Sequence, residues 1–115
     1  MILSFVAQYQ LDGIFQALAD PTRRAVIGRL GAGPASVGEL AAPFAMALPS
    51  FMKHIRALEG AGLIRTRKQG RVRTCALDPA PFAAASDWLA DQRTQWTART
   101  DRLACFVLHQ QKDPP

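Results

Sequence analysis

Apolar positions recur along this chain with helical spacing in five stretches and with strand-like runs in one place. Residues 1–19 read as a first helix, with Ile14, Phe15 and Leu18 at helical spacing and Leu11 one turn earlier. Leu3, Val6 and Tyr9 either extend that face or form a separate first turn. Asp20-Pro21 restarts the chain: an aspartate can cap a helix, and proline suits the first helical position, where no N–H is needed. The second helix runs to Leu30 with Ala25, Val26 and Leu30 as its core stripe, Arg23, Arg24 and Arg29 facing outward or flanking it, and Gly31 to Pro34 ending it. Ser36 and Glu39 have the spacing of a capping box, which opens a short helix through Val37, Leu40 and Ala41 that Pro43 stops.

After a turn at Ala45-Met46-Ala47, residues 48–60 form the next helix. Phe51, Ile55 and Leu58 line one side, with Leu63 beyond its end, and Ser50, Lys53, His54 and Ala57 line another. Gly62 is expected at C′. Residues 63–68 and 71–77 are two short β runs with Gln69-Gly70 as the hairpin tip, closed by Asp78-Pro79. A long helix then covers residues 81–109. Phe82, Ala85, Leu89, Gln92, Trp96, Arg99, Leu103 and Phe106 alternate at spacings of three and four, a heptad-like seam. Residues 112–115 read as a frayed tail. The expected fold is mostly α with a small β-hairpin, in a single domain over residues 1–115.

Charge changes the picture. Between Ala45 and Ala76 there are seven cations, Lys53, Arg56, Arg65, Arg67, Lys68, Arg71 and Arg73, against one carboxylate, Glu59, a local +6 in a chain whose total is +5. The positive charge belongs to one helix and one hairpin. That pattern and a pI near 10.0 point to a polyanion, nucleic acid first and an acidic membrane surface or acidic protein second. The two cysteines, Cys75 and Cys105, form no CxxC pair and suit a reducing cytosol. The first ten residues carry no basic start or cleavage motif of a signal peptide, and no apolar run is long enough to span a bilayer, so no membrane partner is expected.

Helix, short helix, turn, basic helix and basic hairpin in this order make a winged helix-turn-helix: residues 36–60 the helix-turn-helix, residues 63–77 the wing. A helix fits the major groove of double-stranded DNA and can offer polar side chains to base edges, while a wing can lay arginines on phosphates or in the minor groove. LADPTRRAVIGRL (residues 18–30), SVGELA (36–41), LPSFMKHIRALEGAGLI (48–64) and the wing RTRKQGRVR resemble the ArsR/SmtB family of bacterial winged-helix repressors, of the kind lacking the usual metal motifs. The resemblance covers residues 11–108. It implies a homodimeric, cytoplasmic regulator of transcription joined through its first and last helices (1–19 and 81–109), with Leu3, Val6, Phe82, Leu89, Trp96, Leu103 and Phe106 at the interface. Matched position by position, Pro49, Ser50, Lys53, His54 and Arg56 fall on the recognition-helix motif, and Arg67, Lys68, Arg71 and Arg73 on the wing. Ala47 and Met52 stand where relatives often carry serine.

Other chemistries are poorly represented. The short helix before the turn has no thiol, and the last helix has only Asp87, Asp91, Asp101 and His109, short of a converging set of four metal ligands. No cofactor is expected. Cys75 and Cys105 read as small buried hydrophobes. His54 has Lys53 and Arg56 as helix neighbours and no nucleophile, so an enzyme is not expected. Trp88 and Trp96, at helical spacing, read as core or interface rather than as a pocket lining. The sequence leaves room for a small-molecule or redox effector without identifying one. The competing reading is an interaction module whose basic face binds an acidic protein or RNA without base readout.

Overall fold

A computed structural model describes the backbone of residues 2–112 and the side chains of residues 10–110. The elements run α1 (Ile2–Leu18), α2 (Pro21–Leu30), β1 (Ala35–Ser36), α3 (Val37–Ala41), α4 (Leu48–Gly60), β2 (Ile64–Gln69), β3 (Val72–Leu77) and α5 (Pro79–Lys112). Two compact units result, Met1–Ala85 and Ser86–Pro115. Among the described residues, no helix is long and apolar enough to cross a membrane.

Local chemistry sets most boundaries in the first unit. Asp20 lies in an extended conformation, and its carboxylate accepts from the Arg23 N–H at 3.1 Å while Pro21 opens α2. That backbone donor is the main cause of an Asp20 pKa below the usual aspartate range. Ser36 Oγ accepts from the Glu39 N–H at 3.1 Å, so half of the expected capping box forms. The Glu39 carboxylate accepts from the Ser36 hydroxyl and lies 3.6 Å from the Arg29 guanidinium, rather than reaching back to the Ser36 amide.

The core is the apolar face of α4 and what surrounds it. Phe51, Ile55 and Leu58 are fully buried with Leu40, Leu63, Ile64 and Cys75, and Ile14, Val26 and Leu30 close the cluster from α1 and α2. Phe44, in the turn before α4, stacks on Phe51 with ring centroids 5.6 Å apart. The turn is thereby anchored to the helix it introduces. Ala25, expected in the α2 stripe, is exposed. Ile27 packs on the core from α2 instead.

Helix α4 ends in a Schellman motif. Ala61 is the C-cap, Gly62 takes φ +77°, and the Leu63 and Gly62 N–H groups donate to the Leu58 and Glu59 carbonyls at 3.1 and 3.0 Å. The strand β2 begins one residue later, at Ile64.

The sheet differs from a lone hairpin. It has three antiparallel strands in the order β1-β3-β2, with Ala35 opposite Cys75 and Ser36 opposite Thr74. Two residues are too short to leave a period-2 signature, so β1 is invisible to pattern reading. Gln69 pairs with Val72, so the two-residue tip is Gly70-Arg71 rather than Gln69-Gly70. Gly70 holds φ +63° at the first tip position, the conformation that glycine alone adopts without strain. Helix α5 starts at Pro79, two residues earlier than expected, because Asp78 caps it by accepting from the Ala80 N–H at 3.1 Å.

Two side chains of the hydrophobic seam, Phe82 and Ala85, belong to the first unit: Phe82 packs half-buried against its core and Ala85 is buried in it. In the second unit, Leu89, Trp96, Leu103 and Phe106 are each more than half exposed. The side chains of Leu3 and Val6 lie outside the described residues.

The two thiols have opposite surroundings. Cys75 is buried and Cys105 is exposed, against the expectation that both are buried. Burial, chiefly, raises the Cys75 pKa, and the nearby Glu59 carboxylate adds to the effect. A thiol reagent at pH 8 is therefore expected to modify one cysteine per folded chain, Cys105, and the second only after unfolding. Mass spectrometry of the labelled peptides checks this. Labelling of native Cys75 at the rate of Cys105 would contradict the burial.

Candidate nucleic-acid interface

The cations of the first unit sort into two groups by what they touch. Arg23 donates to the carbonyls of Ala17 (2.6 Å) and Gln16 (3.2 Å), and Arg24 to that of Leu18 (2.9 Å), so both tie α2 to the end of α1. Arg23, expected to face outward or flank the core stripe, is half-buried. Arg29 bonds the Gly33 carbonyl and pairs with Glu39. Arg65 pairs with Asp78 at 3.1 Å. Arg73 donates to Thr66 Oγ1 at 3.0 Å, and Thr66 donates in turn to Glu59 on α4.

The remaining cations are Lys53 and Arg56 on α4 and Arg67, Lys68 and Arg71 on the hairpin. All five are exposed, and among the described residues none has a hydrogen bond or ion pair. Lys68 stands directly opposite Arg73 across the β2–β3 ladder. Like charges facing each other destabilise a strand pair, and a bound anion would relieve that repulsion. So half of the arginines and lysines of this unit hold the fold together, and the other half are left on two adjoining elements.

Pro49 and Ser50 occupy the exposed first turn of α4. The preceding Ala47 has the extended backbone of an N-cap but supplies no side-chain acceptor. Ala47→Ser is expected to add that acceptor and stabilise the domain by about 0.5–1 kcal/mol. A rise of a few degrees in melting temperature, followed by circular dichroism, checks it.

His54 is held differently from its neighbours. Its side chain is 21% exposed, and its Nδ1 lies 3.2 Å from Arg23 Nη1 and 3.6 Å from the Asp20 carboxylate. The imidazole thus sits between a guanidinium and a carboxylate, both reached through the same ring nitrogen. The sequence pattern put His54 on the polar face with Lys53 but gave no sign of Asp20 and Arg23, which lie about thirty residues away in sequence. Their partnership with His54 is a product of how α2 packs on α4.

A groove of about 370 Å³ separates the first turns of α3 and α4 from the hairpin, lined by Ser36, Val37, Gly38, Leu48, Met52, Arg71, Val72 and Arg73. Leu48 had not been singled out in the sequence. It lies one helical turn before Met52 on the same face of α4. Among the described residues, no three His, Cys, Asp or Glu side chains gather closely enough to hold a metal ion.

Residues 18–67 match a family model described as a helix-turn-helix domain. The chain is 44% identical over 73 residues to the HTH-type transcriptional regulator Rv2034 of Mycobacterium tuberculosis, covering 64% of this chain and 68% of that protein. A crystal structure of an ArsR family transcriptional regulator superposes with a TM-score of 0.76 at 68% identity, over 78% of this chain and 93% of the other. This chain belongs to the ArsR family. It is therefore a DNA-binding transcriptional regulator with the winged helix-turn-helix fold. The transcriptional repressor SdpR of Bacillus subtilis is a more distant relative of this ArsR family member, 27% identical over 79 residues that cover 69% of this chain and 88% of that one.

Proposed function

We propose that this ArsR family protein acts in the cytoplasm as a homodimeric repressor, without enzymatic activity. It inserts α4 into the major groove of a pseudo-palindromic operator and rests its wing on the flanking backbone. The observation that carries the reading is the set of five cations on α4 and the wing that have no partner among the described residues, beside five others that the fold uses. Lys53, Arg56, Arg67, Lys68 and Arg71 neutralise phosphates, Arg73 joins them with the guanidinium donors that its bond to Thr66 leaves over, and Pro49, Ser50 and His54 lie along the base edges or beside them. The amides of Leu48 and Ser50, at the uncapped start of α4, add two further donors for a phosphate oxygen.

The dimer reading is supported by the second unit, where Leu89, Trp96 and Leu103 recur every seventh residue and Phe106 follows three later, all exposed. Such a stripe is costly in water and is covered when two copies meet along it. Leu3, Val6 and Phe82 are proposed as further residues of the interface. Two recognition helices related by a two-fold read half-sites about one helical turn apart.

The test is an anisotropy titration of the protein against duplex from its own upstream region and against scrambled duplex, at two salt concentrations. Tighter binding to the native duplex by about a thousandfold or more is the expected result. Equal, salt-sensitive binding to both would overturn base readout and favour a basic interaction module instead.

A further inference from the structure

We propose that Leu48 and Met52 read the 5-methyl group of thymine, so that each operator half-site carries a thymine facing the first turn of α4. The inference rests on the DNA-binding reading and deepens it. Leu48 is 55% exposed and Val72 is 52% exposed, and together with the half-buried Met52 they give one groove an apolar lining. Nothing in the first unit's core requires Leu48 or Val72 to be apolar, since neither is part of it. Cations without partners among the described residues lie close by in sequence: Lys53 follows Met52 on α4, and Arg71 precedes Val72 at the wing tip.

A surface that is apolar along its floor and cationic along its rim fits a polyanion with an apolar feature inside it. In the major groove of DNA only thymine offers one, its methyl group. Leu48 and Met52 have no polar group able to pair with the donors and acceptors of guanine, adenine or cytosine, apart from the weakly accepting Met52 sulfur. Their place at the start of α4 is the part of a recognition helix that reaches base edges. Leu48 and Met52, four residues apart, form one contiguous apolar step on that helix.

Replacing thymine by deoxyuridine removes the methyl and nothing else. The experiment substitutes each thymine of the operator duplex singly and measures affinity by anisotropy. One or two positions per half-site are expected to lose about fourfold, the factor that burial of one methyl supplies, and about fifteenfold when both half-sites are substituted. Leu48→Ala and Met52→Ser are each expected to bind the thymine and uracil duplexes equally well. Leu48→Ala serves as the folding-safe variant, because its side chain is largely exposed. If the wild type prefers its operator over scrambled duplex but is indifferent to uracil at every position, thymine reading is wrong and the regulator reading stands. If it prefers no duplex at all, base readout fails and this inference falls with it.

Discussion

Alanine at Lys53, Arg67 and Arg71 together is expected to lower operator affinity by on the order of ten thousandfold at 0.15 M salt, while leaving the fold intact. Each phosphate contact releases close to one counterion, which at that salt is worth about fivefold in affinity. The proposed dimer loses six such contacts when both copies carry the triple substitution. The slope of log affinity against log salt is then expected to fall by about five. The fold is spared because none of the three side chains has a partner among the described residues. The neighbouring arginines make the control: Arg24→Ala removes the same charge from a residue bonded to the Leu18 carbonyl, and it is expected to change melting behaviour more than the salt slope. An unchanged slope in the triple variant would remove α4 and the wing from the interface.

The second large effect is on stability. Phe51 is fully buried, stacks on Phe44 and sits where α4 meets the rest of the core. Phe51→Ala is expected to cost about 3–5 kcal/mol, because the lost transfer energy is joined by the cavity left behind. Domains of this size hold about 5–15 kcal/mol in total, so the variant should be largely unfolded well below the wild-type transition. Urea denaturation followed by tryptophan fluorescence and circular dichroism measures the loss. A cost below about 1 kcal/mol would mean that the Phe44 turn collapses into the space.

The parts of the fold that the sequence displayed are those governed by local rules. Asp20-Pro21, Ser36 with Glu39, and Gly62 announce helix ends through backbone chemistry that acts over three or four residues, and all three lie at such ends. The apolar face of α4 was legible because a 13-residue helix repeats its pattern more than three times. What escaped is decided by packing across long separations. Strand β1 exists only because β3 offers it an edge, and the tip of the hairpin shifted by one residue because the strand register sets it. Within the candidate interface, sequence position could group the arginines by element but could not separate Arg73, bonded to Thr66, from Arg67 and Arg71, which bond nothing among the described residues. Nor could it show that Leu48 is exposed and Ile55 is not, since both are aliphatic residues of one amphipathic helix.

The tight junction between α4 and β2 has a consequence for the spacing of the DNA site. No flexible linker separates the two elements: Gly62 and Leu63 close the helix by backbone bonds, and the chain Glu59–Thr66–Arg73 clamps the hairpin to it a second time. Helix and wing therefore move as a single calliper with a fixed opening. One base pair inserted between the bases read by α4 and the phosphates under the wing displaces one relative to the other by about 3.4 Å and rotates it by roughly 35°. A calliper of this kind cannot follow, so such an insertion should cost as much affinity as removing the wing's contacts altogether. Insertions at the operator's centre fall between the two protomers and probe a different joint.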